Sequence, residues 1–282
     1  MIKNIAYFPL QCAQNAPPVI KAFQQGCRQH GIDMVIDSMA ADAAVIWSVL
    51  WNGRMKLNEA VYQHYRAQGK PVICIDVGAL HRGVTWKIAV NNINALGYYG
   101  HQLNLDHDRP RRLGVALQVP KKIKPAVLIA LQHPRSLQVQ DVDQISWAAH
   151  QIAQLRKVSD LPVFVRSHPR GRLDLSRLAN LATVQPSRPI QGTYDSFDID
   201  YNYQAVVNYN SGVGIQAGLA SAKICVDQSS LAHSISINLQ NLDIDQPRDR
   251  QQWLIEICHT EYLLEEIAQG TWLKRIAHKL ES

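Results

Sequence analysis

Apolar runs alternate with helical segments along the first hundred residues. Four runs predict strands: residues 2–8, 34–36, 43–49 and 71–75. Two segments between them predict helices. Residues 19–30 follow a proline pair and end before a glycine, and residues 57–68 are amphipathic and also end before a glycine. Strands separated by helices require crossover connections, so this half is expected to form a mostly parallel sheet.

The alternation restarts after residue 125. Further apolar runs predict strands at 126–131, 162–165, 205–207 and 223–226. Helices are predicted at 139–157, 173–181, 215–221 and 248–269. Two consecutive α/β halves predict two Rossmann-like domains that face each other across a cleft.

The expected organisation has four parts. Residues 1–108 are expected to form a first Rossmann-like domain, 109–125 a basic linker, 126–247 a second Rossmann-like domain and 248–282 a C-terminal helical segment. Residues 77–108 are rich in glycine, asparagine, histidine and aromatic residues and lack a clear period. A long segment of this kind is functional or disordered, and its aromatic content favours function.

Composition excludes several classes. Of the 282 residues, 46% are apolar and 18% are charged, which argues against a disordered chain. No apolar run reaches the roughly 20 residues that span a bilayer, and no cleavage site follows the short apolar N-terminus. The five scattered cysteines form no C-x-x-C pair, which disfavours a zinc ribbon or dithiol redox site and fits a reduced, cytoplasmic setting.

The charge is unevenly placed. The net charge is +6, but residues 109–188 hold 14 basic and 4 acidic residues, whereas residues 189–282 hold 6 and 12. A basic zone attracts nucleic acid, a phosphate-rich substrate or an anionic membrane, although a solvated surface of one sign is the simpler alternative. Six residues are predicted to line a DNA backbone: Arg109, Arg111, Arg112, Lys121, Lys122 and Lys124.

Candidate chemistry falls at predicted strand ends, where open parallel sheets bind ligands. A glycine-rich turn between a strand and a helix suits a phosphate, because its backbone and the helix N-terminus present N–H groups; its residues of interest are Asn210, Ser211, Gly212 and Gly214. A tight packing turn is the alternative. Neither a dinucleotide-binding nor a P-loop fingerprint is present there.

A second strand end carries His168 and Arg170 within a segment of one histidine and three arginines. Arginine binds phosphate through two parallel hydrogen bonds, and histidine can donate a proton to a leaving phosphate. The sequence His133-Pro134-Arg135 repeats the idea at another strand end. These loops predict a diphosphate pocket without a metal.

The second half resembles the donor-binding domain of GT-B glycosyltransferases, especially capsule-polysaccharide Kdo-type transferases and HP-motif sialyltransferases. The resemblance rests on 127–132 opening the domain, on Ser167-His168-Pro169, and on 210–214 with the following helix. It implies a UDP-linked nucleotide sugar as co-substrate, with no further cofactor, and Gln132 and Gln216 as contacts of the donor nucleotide. Gln216 stands where an acidic residue that binds the ribose is common in the family.

Two segments of the first half, 51–55 and 76–87, are similar to phage-encoded proteins that glycosylate hydroxymethylated pyrimidines in DNA, and a phage-encoded chain would act in the host cytoplasm. We expect this half to hold the acceptor and, for an inverting enzyme, the general base; a retaining enzyme needs no such base. The first choice of base is Asp76, which ends a strand, and His81 is the second. The expected acceptor contacts are Trp51, Arg54, Arg82 and Trp86, with Tyr98 and Tyr99 as further residues that could stack on a flipped base.

The leading hypothesis is thus a metal-independent glycosyltransferase, a hexosyl or pentosyl transferase, that modifies 5-hydroxymethylcytosine in DNA. Stable membrane insertion is not expected. The alternatives are a surface-polysaccharide glycosyltransferase, a nucleotide-sugar epimerase of the same two-domain shape, and a non-catalytic binding protein.

Overall fold

The computed structural model describes residues 2–119, 122–186, 188–189, 197–198, 200–242 and 249–281. The chain forms two compact units: the first combines Met1–Val115 with Ile255–Ser282, and the second comprises Ala116–Leu254. Each unit has its own sheet and core. The predicted α/β class with two Rossmann-like domains is confirmed, and the cleft between them stays a prediction.

Strands and helices alternate through most of both units. In chain order the strands are β1 (Asn4–Tyr7), β2 (Asp33–Ile36), β3 (Ala43–Trp47), β4 (Val72–Val77), β5 (Trp86–Val90), β6 (Lys124–Ala130), β7 (Val163–Arg166), β8 (Thr183–Val184), β9 (Arg188–Pro189), β10 (Phe197–Asp198), β11 (Tyr203–Asn208), β12 (Lys223–Val226) and β13 (Glu261–Tyr262). The α-helices are α1 (Ala16–Gln29), α2 (Asn58–Ala67), α3 (Arg109–Arg112), α4 (Gln144–Arg156), α5 (Gly212–Leu219), α6 (Arg250–Ile257), α7 (Leu264–Ala268) and α8 (Thr271–Glu281). Short 3₁₀ helices are Pro9–Gln11, Gly53–Leu57, Leu137–Val139, Ser176–Leu178, His233–Ile235 and Leu239–Asn241.

The first unit has a six-stranded sheet in the order β2-β1-β3-β4-β5-β13. The first four strands are parallel, and β5 and β13 add to the edge in antiparallel fashion. The order 2-1-3-4 is a common doubly wound arrangement, with its switch point between β1 and β3. The apolar face of α1 covers this sheet, where Phe23 stacks on Trp272 with ring centroids 4.3 Å apart.

Strand β5 lies inside the segment expected to be irregular. Its residues are all buried, although a lysine interrupts the apolar run. Because Lys87 breaks the run, hydrophobicity alone does not predict this strand.

The segment predicted to be strongly helical, residues 248–269, is helical only in part, because strand β13 separates helices α6 and α7. Helix α6 ends at Ile257, where side chains take up its last carbonyls: Thr260 Oγ1 donates to the carbonyl of Ile257 at 2.7 Å, and His259 bonds the carbonyl of Ile255 at 2.7 Å. Such local bonds compete with continued helix. The chain then adds β13 to the free edge of β5.

The second unit has a five-stranded, fully parallel sheet in the order β12-β11-β6-β7-β8. Numbered within this sheet and read from β8 to β12, the order is 3-2-1-4-5, that of the dinucleotide-binding fold, with its switch point between β6 and β11. Strands β9 and β10 form a separate antiparallel pair. The short helix predicted at 173–181 is wrong, because the segment forms only the 3₁₀ turn Ser176–Leu178; the edge strand β8 follows it.

The expected basic linker, residues 109–125, is structured at both of its ends. Residues 109–115 belong to the first unit and include α3, while β6 begins at Lys124. The C-terminal residues from 255 onward return to the first unit. Within the described residues, no helix has the length and apolar character needed to cross a bilayer.

Candidate functional site

The second unit presents its candidate donor site at the carboxyl edge of the sheet. Helix α5 begins there, with Ser211 as its N-cap: the Ser211 hydroxyl accepts a hydrogen bond from the Val213 N–H at 3.3 Å. Asn208, the last residue of β11, orients this cap, because its Oδ1 accepts from both the backbone and the hydroxyl of Ser211. The sequence thus places the positive end of a helix dipole at the strand end.

Gln132 and Asn210 are hydrogen-bonded to each other across the switch point, at the ends of β6 and β11. The Gln132 amide donates to Asn210 Oδ1 at 3.0 Å and accepts from the Asn210 N–H at 2.8 Å. Asn210 also donates to Ser229 Oγ at 2.9 Å, and both Gln132 and Asn210 are buried. Their expected contact with the donor is therefore corrected to an internal bridge that joins two strand ends.

Two other residues predicted to contact the donor, Gly214 and Gln216, contact neighbouring parts of the second unit. A Cβ on Gly214 would lie 3.0 Å from Val226 Cγ1, so this glycine allows α5 to approach β12. Gln216 Oε1 accepts a hydrogen bond from the Tyr201 hydroxyl at 2.7 Å. Gly212 is the first residue of α5 and keeps its place at the helix N-terminus.

The two His-Pro-Arg loops follow neighbouring strands and have the same local geometry. Nδ1 of His133 accepts from the N–H of Arg135, and Nδ1 of His168 accepts from the N–H of Arg170, both at 3.1 Å. The two rings meet edge to face with centroids 5.3 Å apart. Because each Nδ1 accepts a bond, each neutral ring carries its proton on Nε2.

The two histidines differ in burial. His133 is buried against Gly171, where an added Cβ would lie 2.4 Å from the ring, and burial lowers the pKa of His133. His168 is half-buried and Arg170 is exposed. His133 is thus a packing residue that supports the loop carrying His168 and Arg170.

Arg166 is a buried cation at the end of β7 that was not among the predicted site residues. It is 5% exposed, its guanidinium lies 5.4 Å from the ring centroid of Tyr201, and burial lowers its pKa. Its Nη2 has no hydrogen-bond partner within the described chain. An arginine that ends the apolar strand Val163–Arg166 is the sequence signal that identifies it.

The first unit holds Asp76 on β4. Asp76 accepts hydrogen bonds from Ser48 Oγ at 3.1 Å and from the Val77 N–H at 2.7 Å. Lys87 is its register partner on β5. Burial raises the pKa of Asp76, and these hydrogen bonds and Lys87 oppose that rise. Ser48 itself has φ of 62°, a strained backbone conformation of the kind found at functional sites.

The switch point of this sheet is bridged by Asn58, which the sequence did not suggest. Its Nδ2 donates to the carbonyls of Gln11 and Trp47 at 3.1 and 2.9 Å. Asn58 Oδ1, Gln11 Oε1 and Trp51 Nε1 are buried without hydrogen-bond partners in the described chain. The edge is therefore polar but uncharged at this point.

Three predicted acceptor contacts change role, because their rings are buried. Trp51 and Trp86 are buried, with Trp51 against Tyr62 at 5.8 Å, so neither can stack on a flipped base. Tyr99 is buried as well. The residues that remain accessible are Arg54 and His81, which are exposed, and Arg82 and Tyr98, which are half-buried.

Arg109 is not available to DNA. It is 4% exposed, forms an ion pair with Glu266 at 2.6 Å and donates to the carbonyls of Cys258 and Glu261. The guanidinium also lies over the ring of Tyr262. This arginine fastens the C-terminal segment to the first unit.

The other basic residues differ among themselves. Three of them are paired with carboxylates: Arg111 with Asp108, Arg112 with Asp106 and Lys124 with Asp200. Lys122 is exposed, and Lys121 lies outside the described residues. The excess positive charge of the sequence is thus partly balanced locally.

Among the described residues, no group of three or more His, Cys, Asp or Glu side chains could hold a metal ion. The five cysteines are unpaired thiols. Metal independence stays a prediction.

Comparisons with known proteins give distant structural likeness alone. No family model and no curated protein matches the chain. Among solved structures, the beta Kdo 2,4 transferase of Thermosulfurimonas dismutans KpsC aligns over 92% of this chain and 90% of its own, with a TM-score of 0.49 and 9% identity. AviGT4, a glycosyltransferase involved in avilamycin A biosynthesis, aligns over 99% and 98%, with a TM-score of 0.38 and 8% identity.

The UDP-GlcNAc 2-epimerase of Methanocaldococcus jannaschii aligns over 100% of this chain and 99% of its own, with a TM-score of 0.33 and 10% identity. At these scores the likenesses carry no functional argument. We therefore infer the function from the two sheet edges themselves.

Proposed function

We propose that the protein is a glycosyltransferase that moves a sugar from a nucleotide-sugar donor to a hydroxyl acceptor. The observation that carries the proposal is the carboxyl edge of the second unit, where His168 and the Ser211-capped start of α5 follow strands on either side of β6. An imidazole N–H donor and a helix N-terminus are the groups that stabilise a departing phosphate.

In this proposal the second unit binds the donor, assigned as a UDP-sugar, through its diphosphate. His168 donates from Nε2, Arg170 neutralises charge, and the α5 N-terminus adds its dipole. These groups meet the charge that develops as the bond between the sugar and the phosphate breaks. The nucleoside diphosphate leaves with the electron pair of that bond.

Asp76 is the proposed base in the first unit. Its carboxylate takes the proton of the acceptor hydroxyl while the hydroxyl oxygen forms a bond to the anomeric carbon. The raised pKa of Asp76 suits this role, because a base is most effective when its pKa lies near the working pH. His81 is the second candidate, since it is exposed on the loop that follows β4.

The donor half is tested by His168→Ala against His150→Ala, which removes an exposed histidine from the same unit. We expect His168→Ala to lower kcat/KM for nucleotide-sugar turnover about 100-fold, equal to about 3 kcal/mol, as for one oxyanion-type donor. The His150 variant should retain wild-type turnover. Near-wild-type turnover by His168→Ala would remove the support for this donor site.

For the acceptor we propose 5-hydroxymethylcytosine in DNA, on the basis of the exposed basic residues and the sequence resemblance of the first half. Lys122 together with Arg111 and Arg112 would contact phosphates. The affinity should then fall with salt by about 0.9 logarithmic units per phosphate contact for each tenfold rise in salt. Lys122→Glu should flatten this slope and leave nucleotide-sugar binding unchanged.

Product analysis separates the acceptor classes. The protein is incubated with a panel of nucleotide sugars and either hydroxymethylated DNA, unmodified DNA or an oligosaccharide, and the products are weighed. Transfer only to the oligosaccharide would replace DNA with the polysaccharide alternative. Turnover of the UDP-sugar without any acceptor would identify an epimerase or hydrolase.

A further inference from the structure

The loop between β4 and β5, residues 78–85, is held closed by its own backbone. Gly78 N–H donates to the carbonyl of Thr85 at 2.9 Å, and the Val84 and Thr85 N–H groups donate to the carbonyl of His81. The Thr85 side chain accepts from the His81 N–H at 3.3 Å. This loop carries His81 and Arg82 and starts two residues after Asp76.

A carboxylate from the C-terminal segment occupies the centre of this loop. Glu261 is 0% exposed, and it accepts from the Ala79 N–H at 2.7 Å, the Leu80 N–H at 3.1 Å and Thr85 Oγ1 at 2.6 Å. Hydrogen bonds to a charged acceptor are about twice as strong as neutral ones. Three such donors satisfy a carboxylate that burial would otherwise make costly.

Gly78 shows how closely the loop is fitted to this carboxylate. A Cβ added at Gly78 would lie 2.3 Å from Glu261 Oε2 and 2.4 Å from the Thr85 carbonyl. No larger residue can stand there without moving the loop or the glutamate. The loop and β13 are therefore matched to each other although they are about 180 residues apart in the chain.

Glu261 also belongs to a row of charges across the sheet. Lys87 pairs in register with Asp76 on one side and with Glu261 on the other. Lys87 is buried; burial lowers its pKa, and the negative charges of Glu261 and Asp76 oppose this fall. The C-terminal segment thus supplies a negative charge that acts on the same lysine as the proposed base.

We propose that Glu261 is a positioning residue of the acceptor site: it fixes the loop of residues 78–85 beside Asp76 and shares Lys87 with it. The inference rests on the proposed function for its role in transfer. Glu261 does not touch the acceptor. Instead it sets where His81 and Arg82 stand relative to the base.

The test uses Glu261→Gln, Glu261→Asp and the control Glu266→Gln in the full chain. In Glu261→Gln an NH2 group replaces one carboxylate oxygen. This donor then faces the N–H or O–H donors of the loop, which should open the loop. The control weakens the Arg109 ion pair in the same C-terminal segment but leaves the three bonds to the loop intact. Hydrogen exchange of residues 79–85, measured by mass spectrometry, reports the loop without any substrate.

We expect exchange in Glu261→Gln to be roughly 10- to 100-fold faster than in the wild type, as for loss of hydrogen bonds to a charged group. Glu266→Gln should keep the wild-type rate, and Glu261→Asp should recover part of the protection. In transfer assays, Glu261→Gln should raise the acceptor KM and lower kcat while the donor affinity stays unchanged. If Glu261→Gln acted only by lowering the stability of the whole protein, the donor affinity of Glu261→Gln and the exchange rate of the control Glu266→Gln would change as well.

Two results would overturn the proposal: unchanged exchange in Glu261→Gln, or fast exchange with unchanged acceptor kinetics. If Glu261→Gln does not fold, Thr85→Val serves in its place: it removes the bond from Thr85 Oγ1 to Glu261, together with the bond from the His81 N–H, and keeps the charge of Glu261. The Ala79 and Leu80 N–H groups, which donate to Glu261, must then exchange faster than in the control. Wild-type protein that transfers no sugar refutes the proposed function, whereas the exchange comparison still decides whether Glu261 holds the loop.

Discussion

Acidification should destabilise the first unit through His259. This histidine is 0% exposed, its Nδ1 bonds the carbonyl of Ile255 at 2.7 Å, and its Nε2 accepts from the Asp106 N–H at 3.1 Å. Both ring nitrogens are therefore used by the neutral form. A proton on Nε2 would break the bond from Asp106 and place a charge in the interior.

The magnitude follows from the pKa. Burial lowers the pKa of His259 from 6.5 to about 4. The folded pKa lies below the unfolded one, so the stability is complete above pH 6.5 and is lost as the pH falls towards 4. At about 1.4 kcal/mol per pH unit, the loss reaches about 3 kcal/mol.

The assay is urea denaturation followed by tryptophan fluorescence at several values between pH 8 and pH 4.5. Carboxylates also lose stabilising partners in acid, so the wild type is compared with His259→Gln, which keeps one donor and one acceptor but does not titrate. The variant should lose less stability than the wild type between pH 6.5 and pH 4.5. His278→Gln, at an exposed position of α8, is the control and should behave as the wild type.

Parallel pH dependences for the wild type and His259→Gln would refute this reasoning. They would mean that the ring reaches water before the unit unfolds. A larger acid loss in the variant would be equally incompatible with it.

Three further outcomes are expected. Trp272→Ala should cost about 3–5 kcal/mol in urea denaturation because the indole is fully buried and stacked, and a cost below about 1 kcal/mol would contradict the packing. Lys87→Met should raise the pKa of Asp76 further, because a neighbouring cation is lost. The acidic limb of the pH profile of kcat/KM should then move to higher pH. An unmoved limb would show that Lys87 does not act on the titrating base. Gly171→Ala should displace His133 and lower the nucleotide-sugar affinity measured by calorimetry. An unchanged affinity would contradict the supporting role of His133.

Eight of the eleven strands in the two sheets could be predicted, mostly because their residues are largely apolar, as in Ala43–Trp47. The carboxyl-edge position of His168 and Ser211 followed from the same pattern. Strand β5 was missed because Lys87 lies within it, and the register partners of Lys87 on the two neighbouring strands are the carboxylates Asp76 and Glu261. Those neighbours are visible only in three dimensions.

The fate of the basic residues shows the same limit. Arg109 looked like one member of a solvated cluster, but its acidic partner Glu266 lies 157 residues away in the chain. Local charge density cannot separate an arginine that binds a distant carboxylate from one that faces water. Glu261 was missed for the same reason, since its donors at residues 79, 80 and 85 are equally remote in sequence.

The return of residues 255–281 to the first unit has a consequence for synthesis on the ribosome. All residues of the second unit leave the ribosome before the first unit has its last strand, so the second unit can complete its sheet first. Until β13 emerges, β5 presents an open edge, and open edges invite pairing with other chains. Nascent chains released before residue 261 should therefore depend on chaperones more strongly than the finished protein.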